Sequence, residues 1–214
     1  MCFSATASFT ASALLAFLGA LSIKKARTQS LQLFASTPIF FAIQQASEGG
    51  IWLSAANPTG LISVFATYLF LFFAMIVWPI WIPAVLLNLE KDSLRKKLLY
   101  IPLICGLMFS ISAILYLIFY GATGAIIGHH IAYKTHQPPL IYAVIANSVY
   151  LIAIVTPFFI STLERMWLFG IGIALAYIYT YIWYAHHFTS VWCFLGALLS
   201  MLVLYIVSVN NTRR

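Results

Sequence analysis

Stretches of twenty or more residues with almost no charge follow one another along this chain, and the links between them are short. A helix needs about 20 apolar residues to cross the hydrocarbon core of a bilayer. Seven segments meet that length: 4–23, 31–55, 60–88, 98–120, 138–161, 165–185 and 188–209. In a chain of 214 residues they leave almost nothing for soluble domains. The expectation is an all-α integral membrane bundle, one domain of seven transmembrane helices with a cap loop over 121–137. Composition agrees, with 63% hydrophobic and only 7% charged residues, where a soluble domain carries about a quarter charged. Such a chain cannot cover itself with polar surface. Its 17 Phe, 12 Tyr and 6 Trp suit a lipid-facing exterior with aromatic belts at the interfaces.

The basic residues set the orientation. Short cytoplasmic loops carry an excess of Lys and Arg. Lys24, Lys25 and Arg27 lie between segments 1 and 2, Lys91, Arg95, Lys96 and Lys97 between 3 and 4, Arg165 between 5 and 6, and Arg213 and Arg214 in the tail. The other side holds only Lys134. The N-terminus is therefore expected outside and the C-terminus in the cytoplasm, with the protein in the inner (plasma) membrane of a bacterium. The net charge of +7 is used up in these clusters and gives no nucleic-acid surface. The first segment runs uncharged and then basic, the reverse of a cleavable signal peptide. Three cysteines, Cys2, Cys105 and Cys193, are too few for a disulfide scaffold.

This orientation gathers the polar residues at one end. His129, His130 and His136 fall in the 121–137 loop, His186 and His187 in the turn between helices 6 and 7. Cys2 and Ser4 open helix 1 at that level, and Ser190 and Cys193 open helix 7. The loop itself, rich in glycine, isoleucine and tyrosine, suggests a short hairpin or a re-entrant cap. Glu48 lies about seven residues below the outer end of helix 2, roughly 10 Å at 1.5 Å per residue.

Glu48 is the residue that most needs an explanation. A carboxylate within a transmembrane helix costs about 2.5–3.5 kcal/mol even on the lenient insertion scale. Gln44 is four residues earlier and Trp52 four later, so a polar stripe shares one helix face and should point into the bundle. It serves either as a hydrogen-bonded register pin or as a ligand-binding or catalytic group. The histidines are either interfacial side chains or metal ligands. Adjacent histidines point apart, so each pair offers one inward member at most. Cys2 and Cys193 read as packing, as a disulfide between first and last helices, or as a ligand or nucleophile. Ser4, Ser8 and Ser12 share a face at a spacing that lets helices approach closely.

Several motifs carry a resemblance: "MCFSATASF" at the start, "QQASEGGIW" in helix 2, "WP" in helix 3, "HIAY" in the cap loop and "SVWCF" in helix 7. Together they resemble an uncharacterised bacterial family of small multi-pass membrane proteins beginning Met-Cys-Phe-Ser, with QQxxEG and SVWCF motifs. The matching positions are Cys2, Phe3, Ser4, Gln44, Glu48, Gly49, Trp52, Trp78, Pro79, His130, Tyr133, Ser190, Trp192 and Cys193. The resemblance implies a seven-helix membrane protein and no particular activity.

The expected site is thus a polar cluster in the outer half. Glu48 and Cys2 are its candidate catalytic groups. Gln44, Ser4, Trp52, Tyr133, Ser190 and Cys193 are its candidate binding groups. Glu48, His130, His186 and His187 are candidate ligands for a metal, zinc by default. Two function classes follow. One is a metal-dependent hydrolase of a lipid-like substrate, in which the metal activates water. The other is a non-enzyme: a binder, transporter or sensor of a small amphipathic molecule with Glu48 as a protonatable switch, or an accessory subunit of a membrane complex.

Overall fold

The computed structural model describes residues 4–211. It is a bundle of α-helices joined by short links, with one β-hairpin at the end opposite the basic loops. Six helical stretches are long and apolar enough to cross a membrane: Ala5–Lys25, Leu61–Leu89, Ser93–Tyr120, Leu140–Ile160, Met166–Trp183 and Ala185–Asn211. Large apolar side chains such as Leu61, Phe119, Leu140 and Trp183 stand exposed around it. Water does not tolerate an apolar exterior on this scale, so the fold is that of a multi-pass membrane protein.

Helix α1 (Ala5–Lys25) starts at Ser4, whose hydroxyl accepts from the Ala7 N–H at 3.2 Å, and ends on Lys24 and Lys25. Cations there complement the negative end of the helix dipole. The stretch expected as one helix over 31–55 is divided at Ser36 into α2 (Gln29–Ala35) and α3 (Thr37–Leu53). Pro38 supplies the reason. It has no N–H for the Phe34 carbonyl four residues back, which the Ser36 N–H reaches at the break, while the Ser36 hydroxyl donates to the Leu33 carbonyl at 2.7 Å. Helix α1 packs along α3. Ser8 is fully buried there, and the Ser12 hydroxyl donates to the Ala42 carbonyl across the contact at 2.8 Å.

The next span changes pitch midway, from α4 (Leu61–Leu71) through a π-helical turn (Phe72–Val77) to α5 (Trp78–Leu89). Pro79 and Pro83 withdraw two donors from the helical ladder. Side chains from three other helices donate to carbonyls of this span. Tyr150 donates to the Ala74 carbonyl at 2.8 Å, Ser110 to the Ile76 carbonyl at 3.2 Å and Gln44 to the Phe70 carbonyl at 3.4 Å. Broken ladders inside a membrane persist where neighbouring helices answer the freed groups in this way. The Pro79 carbonyl, which Pro83 cannot reach, is covered by Gly106 of α6 (Ser93–Tyr120). A Cβ at Gly106 would lie 1.9 Å from that oxygen, so the two helices cross backbone to backbone. Helix α6 also begins earlier than the apolar pattern suggests, because Asp92 caps it through the Arg95 N–H at 2.8 Å.

Strands β1 (Thr123–Ile127) and β2 (His130–Lys134) pair antiparallel with Thr123 opposite Lys134 and Ile127 opposite His130. The two-residue turn places Gly128 at φ 63°, a backbone that only glycine adopts without cost. Ile131 is fully buried under the hairpin with Ile51 and Ala66. Helices α7 (Leu140–Ile160), α8 (Met166–Trp183), α9 (Phe188–Leu199) and α10 (Leu202–Asn211) complete the bundle. The last span is itself broken at Ser200–Met201. Helix α10 returns beside α1, where the Asn211 amide donates to the Lys25 carbonyl at 2.7 Å and accepts from the Arg27 N–H at 3.2 Å.

A second buried carboxylate holds the basic end together. Glu90, 2% exposed, accepts from the Lys91 and Asp92 N–H groups at 2.9 and 3.1 Å and from the Thr162 N–H and hydroxyl at 2.7 Å each. Burial alone would raise its pKa. The bonds from Thr162, Asp92 and Lys91 outweigh burial and hold the carboxyl below its ordinary value.

Candidate functional site

The polar side chains in the middle of α3 are buried, while Trp52 at the end of the stripe is half-buried. Gln44, Gln45 and Glu48 each have zero exposure, and Ser47 is buried beside them. A helix with such a face inside an apolar bundle must find partners for it. Gln44 finds them on the π-turned span. Its amide oxygen accepts from the Trp78 indole N–H at 2.8 Å, while its nitrogen reaches the Phe70 carbonyl. One turn toward the hairpin, the Glu48 carboxylate accepts from the Tyr133 hydroxyl of β2 at 3.2 Å. The Tyr133 ring stacks on Phe70, centroids 4.5 Å apart and 10° from parallel. The hairpin is therefore pinned to the bundle by one aromatic face and one carboxylate.

Helix α9 closes the cluster from the other side. Cys193 is buried, in one apolar cluster with Phe70 and Tyr133. Ser190, one turn earlier, is buried, and its hydroxyl has no hydrogen-bond partner among the described residues. The Trp52 indole N–H is in the same position. Below Gln44, the space between Trp78 and Cys193 opens into a cavity of about 40 Å³, walled mainly by Phe41, Tyr150, Phe158, Phe169 and Trp192. It has the volume of a water or a small alkyl group rather than a lipid chain; pockets that enclose drug-sized ligands run to about 300–1,000 Å³.

The histidines divide as adjacent pairs should. His130 and His187 turn toward each other, ring centroids 5.0 Å apart, with the Tyr184 ring 5.2 Å from His130. His129 and His186 are exposed. Burial first, and then the neighbouring His187 and His129, push the His130 imidazole below its ordinary pKa. A catalytic zinc takes three protein donors around one point. Among the described residues no three His, Cys, Asp or Glu side chains are so grouped. Glu48, His130, His186 and His187 thus do not form the donor set expected for zinc: the carboxylate turns to Tyr133, and two of the histidines turn to each other. Cys2 lies outside the described residues, so neither its expected role as catalytic group nor its pairing with Cys193 has a structural description. Ser4, expected in the cluster, spends its hydroxyl on the cap of α1.

Two site residues carried no functional reading in the sequence. Trp78 was visible only as part of a motif, and Tyr150 only as a tyrosine in an apolar helix. The prolines that follow Trp78 were the usable signal, because a freed carbonyl in a membrane helix demands a side-chain donor.

A model of a family of unknown function, DUF6629, matches residues 1–214, and the chain belongs to that family. No curated protein and no solved structure matches it.

Proposed function

We propose that this member of DUF6629 is a plasma-membrane protein that binds a small ligand at the Glu48 centre without transforming it, as a receptor, sensor or carrier. The orientation proposed is N-terminus outside and C-terminus in the cytoplasm, from the Lys and Arg of the short loops. The centre then lies in the outer half of the bundle beneath the hairpin. The observation that carries this reading is the wholly buried Gln44–Glu48 face, met by side chains from separate elements, Trp78 of α5 and Tyr133 of β2, with Cys193 of α9 in the same apolar cluster as Tyr133. Intramembrane ionisable groups mark binding sites and ion paths by default.

The chemistry of the centre selects the ligand. The Glu48 carboxylate and the Gln44 amide, which lie beside the cavity rather than on its wall, favour a cationic or hydrogen-bond-donating group. The aromatic faces of Phe41, Trp78 and Trp192 below favour a compact alkylammonium body by cation–π attraction. A metal-dependent hydrolase would require a third donor beside two of the expected ligands, which the described residues do not bring together. The test is thermal unfolding of the detergent-purified protein in a series from methylammonium to tetramethylammonium. Wild type should be stabilised by at least one member, and Glu48→Gln should not respond. No shift across the series, or an equal shift in both proteins, would overturn the reading.

A further inference from the structure

A second, separate cavity opens at the hairpin end of the bundle. It has a volume of about 670 Å³, and its walls are β2 with the chain that follows it on one side and the 185–187 turn on the other. Its polar lining is Tyr133, Lys134, Thr135, Gln137, His186 and His187. This volume is within the range of small-molecule sites, about 300–1,000 Å³.

Its lining carries no acidic side chain, and the Glu48 carboxylate lies behind the wall, where it accepts from the Tyr133 hydroxyl. The chain holds four acidic residues, Glu48, Glu90, Asp92 and Glu164, and none of them lines this cleft. Glu90, Asp92 and Glu164 belong to the links at the opposite end. Lys134 is the one Lys or Arg in the segment between α6 and α7. Helix α9 begins at Phe188, directly after His186 and His187, so the positive end of its dipole also opens here. The His187 Nδ1 is buried and has no hydrogen-bond partner among the described residues. The walls are firmly held. Tyr133 is bound to Glu48 and stacked on Phe70, Ile131 is fully buried, and His187 packs on His130.

We propose that this cleft is a binding site for a phosphate oxyanion, carried by a lipid headgroup at the membrane surface or by a soluble phosphate compound. The Lys134 ammonium supplies the charge. Thr135, Gln137 and the imidazoles supply donors that place the oxygens. The inference does not depend on the Glu48 reading, since no variant used to test it touches that centre.

The experiment measures binding of two probes to the full chain. Inorganic phosphate is titrated into maltoside-solubilised protein by calorimetry. In parallel, native mass spectrometry compares lipid retention from nanodiscs of phosphatidylcholine alone with nanodiscs containing phosphatidylglycerol. Saturable binding of inorganic phosphate identifies a soluble oxyanion. Selective retention of phosphatidylglycerol without phosphate binding identifies a headgroup. In either case the Lys134→Gln, His186→Gln double variant should bind about tenfold more weakly, as loss of charge-assisted contacts predicts. Both positions are exposed, and the variant should melt with wild type in the absence of probe. Thr135→Val with Gln137→Leu provides an independent pair should the first misfold. Absence of saturable binding by both probes in wild type, or affinities unchanged in both double variants, would overturn the proposal.

Discussion

Glu48 and Glu90 are both carboxylates removed from solvent in the same apolar bundle, yet they are held in opposite ways. Glu90 sits where helices end. Three of its four bonds come from main-chain N–H groups in the links that follow α5 and α7, and the fourth from the Thr162 hydroxyl. Those donors cannot leave without unfolding the link, so the carboxylate is part of the frame. Glu48 sits mid-helix, where the backbone has no N–H to spare. Its bond from Tyr133 comes through a side chain on a separate element, the hairpin. A carboxylate answered by main chain stabilises a fold. One answered by side chains from separate elements can exchange a partner for a ligand.

The largest effect should come from removing the frame carboxylate. Glu90→Ala leaves several buried donors without an acceptor and should cost about 3–5 kcal/mol, from hydrogen bonds to a charged group at about 1.5–3 kcal/mol each with partial overlap. Denaturant or SDS titration of the detergent-solubilised protein would measure it. Next is Gly106→Ala, which forces α6 off the Pro79 carbonyl and disturbs the span that carries Trp78. Overpacking of this kind costs about 1–3 kcal/mol, and here the obstacle is backbone, so a value near the top of that range is expected by the same titration.

The comparison also has a pH signature. The folded-state pKa of Glu90 lies below its ordinary value. Its contribution is therefore complete above the ordinary carboxylate range and is lost as pH falls through that range toward the depressed folded value. Wild-type melting temperatures should drop as pH is lowered below about 5, and Glu90→Gln should lose that part of the slope. A smaller effect belongs to the hairpin latch. Tyr133→Phe keeps the stack on Phe70 and loses one hydrogen bond, worth about 1 kcal/mol. Hydrogen exchange should quicken over 123–134 and remain unchanged at Glu90.

Which of these features the sequence discloses depends on the range of the interaction. Membrane spans are legible because a run of about twenty apolar residues is a local property. The break at Ser36 is legible in principle from Pro38, but continuous hydropathy across 31–55 masks it. Glu48 stands out because its cost is local, and the Gln44 face follows from helical spacing. Convergence with Cys193 follows from placing both at one end of the bundle. The Tyr150 bond to the π-turned span joins positions 76 residues apart, and no periodicity encodes it. Glu90 is hidden for the same reason: its Thr162 donors are 72 residues away, and in the sequence it looks like one more charge in a polar link.

The most direct test of the difference between the two carboxylates is a side-by-side unfolding titration of Glu48→Gln and Glu90→Gln at neutral pH. The amide keeps the shape of each side chain and removes its charge. Glu90→Gln should lose about 2–3 kcal/mol, since one oxygen and an amide cannot accept four bonds. Glu48→Gln should stay within about 1 kcal/mol of wild type, because an isosteric neutral group relieves the burial of charge as it weakens the bond from Tyr133. A Glu48→Gln protein as unstable as Glu90→Gln would make Glu48 a structural pin and contradict its assignment to a binding centre.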